Sequence, residues 1–212
     1  MLSVHGRKPA AVVVEPVARA LLKVGLTPNA TTVCGTAATV AAAVLLIPQD
    51  HLVWAAVLSL VLAAFDMIDG TMARLRGGGT AFGATLDASC DRITDGALFG
   101  AIVVWLVYVD NASVVTVVAA LIVLVLSQVT SYVKARGEAG GIRIVGGLVE
   151  RPERLIIALV GLALEGMGVA FAIEVALWIL VAGSIVTVAQ RLIAAARDPR
   201  ATAPVAAPEG SG

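Results

Sequence analysis

The sequence predicts an all-α integral membrane protein with six transmembrane helices, preceded by an amphipathic helix at the membrane interface. Three observations lead there. Of 212 residues, 59% are hydrophobic and 14% charged, and mean hydropathy is +0.95, a balance foreign to soluble domains of this length. Charge-free intervals run from Lys23 to Asp50, from Asp110 to Lys134 and from Glu174 to Arg191. Each is close to the roughly 20 residues that a helix needs to cross a hydrocarbon core. Six spans also put all fifteen Lys and Arg residues on one side, which the positive-inside rule makes the cytoplasmic face, with both termini on it. Fifteen acids balance them, so no global field exists to bind nucleic acid. Two cysteines, Cys34 and Cys90, are too few for a disulfide framework or a four-cysteine zinc site.

The elements follow in order. Residues 1–27 form a cytoplasmic segment with no cleavable signal peptide evident. Within it, residues 15–25 read as a short interfacial helix with Pro16 in its first turn. Arg19 and Lys23 share one stripe, and Val17, Leu21 and Val24 the opposite one. Thr27-Pro28 then reads as an N-cap followed by proline at the first helical position of span one. Residues 52–65 and 96–109 are apolar but too short to span alone. They reach full length if their helices continue through residues 66–74 and 83–95, with Gly77, Gly78 and Gly79 as the loop between spans two and three. Span four follows Asp110, and residues 138–149 make a longer cytoplasmic loop. Span five covers residues 155–164, extended through 168 past Glu165, and span six ends near Arg191. The membrane domain thus occupies residues 28–196, and the Ala-, Pro- and Gly-rich tail 197–212 is expected to be disordered. Trp54, Trp105, Tyr108 and Trp178 fall towards the far side, as an aromatic belt does. The surplus of Ala and Gly suits close helix packing, including a homodimer interface. Cys34 and Cys90 read as packing residues, Cys90 facing away from the neighbouring acids.

Those acids are the anomaly. Asp66, Asp69, Asp87, Asp91 and Asp95 fall at or inside the cytoplasmic ends of spans two and three, where a carboxylate is costly unless paired, hydrated or metal-bound. One such residue is readily a headgroup-level side chain or a helix cap; five within thirty residues are not. Asp66 and Asp69 lie three apart, and Asp87 and Asp91 four apart, so each pair shares a helix face. Antiparallel neighbours joined by a short loop bring the pairs together. Clustered carboxylates need cations among them, and oxygen ligands without His or Cys favour Mg²⁺ or Mn²⁺ over zinc. Two such ions suit in-line phosphoryl transfer. Gly70 and Gly83 permit close approach of a nucleotide, and Arg74 can neutralise a phosphate.

As a string this is Asp66-x2-Asp69-Gly70-x2-Ala73-Arg74-x8-Gly83-x3-Asp87-x3-Asp91, which resembles the signature of the CDP-alcohol phosphotransferase family at every defining position. The resemblance implies a Mg²⁺-dependent membrane enzyme, with two ions, that displaces CMP from CDP-diacylglycerol with an alcohol. It makes Asp66, Asp69, Asp87 and Asp91 the metal ligands and Asp91 also the general base. It puts Gly70, Arg74 and Thr80 on the CDP moiety, with Pro28-Asn29-Ala30-Thr31 closing over the nucleotide at the N-terminus of span one. Asp95 is outside the signature and reads as support for the site or as a partner of Arg92 or Lys134.

The acceptor is sought among the remaining cations. Lys134, Arg154 and Arg191 all lie at the cytoplasmic boundary, where they either follow the positive-inside rule or converge on a second anion. The stretches Ser131-Tyr132-Val133-Lys134-Ala135-Arg136, Glu150-Arg151-Pro152-Glu153-Arg154 and Gln190-Arg191 resemble those of bacterial family members that use inositol 1-phosphate. That resemblance implies that Lys134, Arg154 and Arg191 hold its phosphate, at a site on the cytoplasmic face of the cell membrane. Glycerol 3-phosphate is the rival acceptor. A divalent-cation transporter is the rival from another class, but spans two and three lack polar groups in their outer halves.

Overall fold

The computed structural model describes residues 7–202, side chains being described from residue 14 onwards. The N-terminal six residues and most of the predicted tail, 203–212, lie outside the described residues. Seven helices and no strand occur among those described: α1 (Arg7–Lys23), α2 (Pro28–Leu46), α3 (Leu52–Leu75), α4 (Ala81–Tyr108), α5 (Val114–Ala139), α6 (Arg151–Gly166) and α7 (Ala172–Arg197).

Four of these helices, α2, α3, α5 and α7, are long and apolar enough to cross a membrane. The other two in the body of the chain differ for separate reasons. At 28 residues α4 has the length, but it carries Asp87, Asp91, Arg92 and Asp95 within its first fifteen residues. With 16 residues, α6 is only about 24 Å long at 1.5 Å per residue.

Local chemistry sets the helix starts. α2 begins where Thr27-Pro28 predicts: the Thr27 hydroxyl accepts from the Ala30 N–H at 3.2 Å and Pro28 takes the first turn. Thr80 caps α4 through the Gly83 N–H at 2.9 Å, and Ser113 caps α5 through the Thr116 N–H. The corner between α2 and α3 turns through Asp50 at φ 63°. Its carboxylate accepts from the Trp105 indole at 2.8 Å, which pins that corner to α4. Trp105 is consequently buried and is not a belt residue, whereas Trp54 and Tyr108 are exposed.

Helices α2 to α7 form a closed ring in the order α2, α3, α6, α7, α5, α4 and back to α2, and α1 packs outside against α3. One apolar core runs through the end of the ring away from the aspartates, with Phe99, Ile102, Leu106, Leu162, Leu177 and Leu180 among its fully enclosed side chains. At Gly161, a Cβ would come within 2.5 Å of the Ala176 Cβ, so the α6–α7 approach requires glycine.

Two elements depart from the sequence reading. α1 starts at Arg7, so Pro16 lies inside it and not in a first turn. A proline there forfeits one backbone hydrogen bond, and packing compensates: buried Ala18, with Val14, Leu21 and Leu22, seats against Ile68 and Met72 of α3. The expected apolar stripe is therefore split, Leu21 packing inward while Val17 and Val24 stay exposed. The second is a matter of extent: the loop between α5 and α6 begins after Ala139, because α5 runs through Glu138, and it is firmly held. Ile144 and Val149 are buried, Leu148 N–H donates to Gln190 Oε1, Val149 N–H donates to Thr187 Oγ1, and Arg191 Nε donates to the Gly146 carbonyl.

Candidate active site

Helices α3 and α4 are not the packed neighbours that the sequence suggests: both border α2, and from either side of it they bring the acidic residues to one end of the ring. One carboxylate oxygen each from Asp66, Asp69 and Asp87 lie within 4.8 Å of one another. That donor set, all carboxylate oxygens without nitrogen or sulfur, fits a hard divalent cation. Asp69 is buried, and the Thr32 hydroxyl of α2 donates to its Oδ2, while the Gly70 N–H donates to Oδ1.

Asp91 joins the cluster through a cation. The Arg151 guanidinium at the start of α6 sits between two acids, with Nη1 2.9 Å from Asp91 Oδ1 and 3.2 Å from Asp66 Oδ2. Its Nη2 donates to Thr94 Oγ1 at 3.2 Å. Arg151 thus ties α6 to both α3 and α4 at the point where the carboxylates converge.

One turn deeper on α4, Asp95 is almost fully enclosed and faces three guanidinium groups. It accepts a hydrogen bond from Arg154 Nη2, and it lies 3.3 Å from Arg92 Nη1 and 3.8 Å from Arg151 Nε. Arg92 is therefore its partner as the sequence suggests, but Lys134 is not: Lys134 Nζ is 3.9 Å from Glu138 and half-exposed. Arg154 is 1% exposed, and its Nε finds no hydrogen-bond acceptor among the described residues. Arg191 is also buried, donating from Nη1 to the Thr130 carbonyl at 2.7 Å and from Nη2 to Glu150 at 3.4 Å. Lys134 stands one turn beyond Thr130 on α5, so it is on the same end as Arg191 but at the surface.

The residues expected around a nucleotide also gather at this end. At Gly83 a Cβ would lie 3.1 Å from Thr80 Oγ1 and 3.2 Å from Asn29 Oδ1, so the N-termini of α2 and α4 meet there. Thr31 Oγ1 bonds the Thr27 carbonyl and approaches Met72 Sδ at 3.4 Å. Arg74 is exposed and donates to Thr71 Oγ1 at 2.8 Å, and its Nη1 would be 3.6 Å from a Cβ at Gly70. Pro28 and Ala30 form the first turn of α2.

A narrow cavity open to solvent lies among α2, α3, α4 and α6 and reaches Asp66, Asp91, Asp95 and Arg151. Cys90 is buried as expected but lines this cavity and does not face away from it; Cys34 is exposed, not packed.

Sequence reasoning missed Thr32 and Arg151. Thr32 sits one residue beyond the segment singled out at the head of α2, and its contact with Asp69 spans 37 positions. Arg151 is in plain view among the cations, yet its reach to Asp66 spans 85 positions, and no local spacing reports that.

Residues 25–189 match the CDP-alcohol phosphatidyltransferase family. A phosphatidylinositol phosphate synthase of Corynebacterium glutamicum is 63% identical over 211 residues, covering all of this chain and 96% of the relative. One from Mycobacteroides abscessus is 50% identical over 202 residues, covering 95% of this chain and 91% of the relative. Among solved structures, Mycobacterium tuberculosis phosphatidylinositol phosphate synthase with CDP-DAG bound superposes with a TM-score of 0.88 at 46% identity, over 93% of this chain and all of that one. The same enzyme in complex with manganese and citrate gives a TM-score of 0.85 at 46% identity, over 91% and 93%.

Proposed function

The chain belongs to the CDP-alcohol phosphatidyltransferase family, and from that premise we propose that it transfers the phosphatidyl group of CDP-diacylglycerol to a hydroxyl of inositol 1-phosphate, forming phosphatidylinositol phosphate and releasing CMP. The observation that carries the reading is the junction of Asp66, Asp69 and Asp87 with the Arg151-bridged Asp91. It stands beside two buried arginines that belong to neighbouring helices.

In this reading Asp66, Asp69, Asp87 and Asp91 hold two Mg²⁺ ions, for which Mn²⁺ can substitute. The chemistry such ions supply is charge neutralisation at the phosphate oxygens and at departing CMP. Asp91 accepts the proton of the attacking hydroxyl, and Arg151 and Arg92 fix the direction of its carboxylate. Gly70, Arg74, Thr80 and the Pro28-Asn29-Ala30-Thr31 turn receive the CDP moiety, where the positive end of the α2 dipole favours phosphate. Lys134, Arg154 and Arg191 take the acceptor's phosphate; the unmatched Arg154 Nε supports a role for that guanidinium beyond its pairing with Asp95.

Helices α2 to α7 form six spans of the cell membrane in residues 28–196, with α1 of the 1–27 segment on the surface and the 197–212 tail beyond. The active site and both termini face the cytoplasm, since every Lys and Arg is assigned to that side. The enzyme works as a homodimer whose helices meet through their small residues. CMP release from CDP-diacylglycerol, followed with inositol 1-phosphate, glycerol 3-phosphate and free inositol in turn, tests the reading. Release with inositol 1-phosphate is expected, and release with glycerol 3-phosphate alone refutes the acceptor assignment.

A further inference from the structure

The cavity beside Asp66 and Asp91 does not stop at the acidic cluster. Asp66, Ala63, Leu62 and Ser59 follow one another along a single stripe of α3, and all four line it. Ser59 lies two turns from Asp66, about 10 Å along the helix axis. Its side chain is enclosed, 2% exposed, within a helix otherwise apolar enough to span a membrane. Several helix hydroxyls are satisfied by the carbonyl one turn back, as at Thr39, Thr71 and Thr187; of the three buried ones without a partner among the described residues, Ser59, Thr130 and Ser184, Ser59 is the one that lines this cavity. Ser59 Oγ has no such bond and no other partner among the described residues. Buried hydroxyls are seldom left in that condition, and here the unmet group lines a cavity that leads to the reacting end.

We propose that this extension is a subsite for the glycerol-ester region of the lipid donor, with the Ser59 hydroxyl donating to an acyl-ester carbonyl oxygen. The inference rests on the donor reading above. With the diphosphate at the aspartates, the glycerol and its ester linkages are what hang from it towards the membrane interior. An ester carbonyl accepts and cannot donate, which matches a lone hydroxyl. The surrounding Leu62, Ala63, Leu98 and Leu155 suit methylenes and disfavour a polyol.

Donor KM tests this, measured by CMP release at saturating inositol 1-phosphate, with a diester CDP-lipid and with its dialkyl-ether analogue of equal chain length. The wild-type enzyme should prefer the ester by about three- to tenfold in KM, the worth of one neutral hydrogen bond. Ser59→Ala should erase that preference and leave the acceptor KM unchanged, while Ser59→Thr, which keeps a hydroxyl, should retain it. Equal treatment of both donors by the wild-type enzyme overturns the subsite and leaves the function standing; that comparison needs no variant to fold. A preference surviving in Ser59→Ala, or a shift in acceptor KM in its place, also overturns the subsite. No CMP from either donor overturns the function, and the subsite with it.

Discussion

Asp95→Leu isolates what one buried carboxylate does for this end of the ring. Leucine keeps approximate volume and removes the charge, stranding Arg154, which is 1% exposed and hydrogen-bonded to Asp95. An uncompensated buried ion costs about 3–5 kcal/mol. The reverse change is milder, because Arg154→Met leaves Asp95 still 3.3 Å from Arg92 and 3.8 Å from Arg151. It should cost about 1.5–3 kcal/mol, the size of one charge-assisted hydrogen bond. The double variant has no stranded Arg154 and should be more stable than Asp95→Leu alone by at least about 2 kcal/mol. Equilibrium unfolding of the purified protein in mixed detergent micelles measures all three. A loss below about 1 kcal/mol in Asp95→Leu, or a double variant no better than that single one, refutes the reasoning.

The other predictions concern chemistry. Arg151→Lys should lower kcat about tenfold or more, since one ammonium cannot reproduce a planar fork that meets Asp66, Asp91 and Thr94 together; steady-state CMP release reports it. Asp91→Asn should reduce CMP release by about a hundredfold or more while the protein still folds, which circular dichroism and size-exclusion elution check. Lys134→Ala should raise the acceptor KM about tenfold through loss of one ion-assisted contact and leave the donor KM alone, because among the described residues Lys134 pairs with Glu138 and with none of the clustered aspartates.

What could be read from the chain was what local spacing encodes. The eight signature positions fall within residues 66–91, on two helices joined by a five-residue turn, so helical spacing with that short turn predicts that Asp66, Asp69, Asp87 and Asp91 gather at one end; Asp66, Asp69 and Asp87 do so directly, and Asp91 through Arg151. The caps at Thr27 and the continuity of α3 and α4 through their acidic ends are legible for the same reason. What was not legible depends on helices far apart in sequence. Arg151 and Thr32 reach the aspartates only because α6 and α2 both border α3 in the ring. Trp105 looks like an interfacial aromatic until the α2–α3 corner presents Asp50 to its indole. Pro16 marks a helix boundary by propensity, yet packing of Ala18 against α3 carries the helix across it.

The segment between α5 and α6 has one more consequence. Its backbone groups at Gly146, Leu148 and Val149 are met by side chains of α7, and a Cβ at Gly147 would strike Thr187 at 2.5 Å. A connection without regular structure is thereby held as closely as an inner strand, and its length becomes a dimension of the molecule. Surface connections ordinarily accept inserted residues at small entropic cost. Here one added residue would pull Arg191 and the head of α6 out of register, whereas the exposed glycines at 77–79 offer an insertion point for a label that leaves the ring undisturbed.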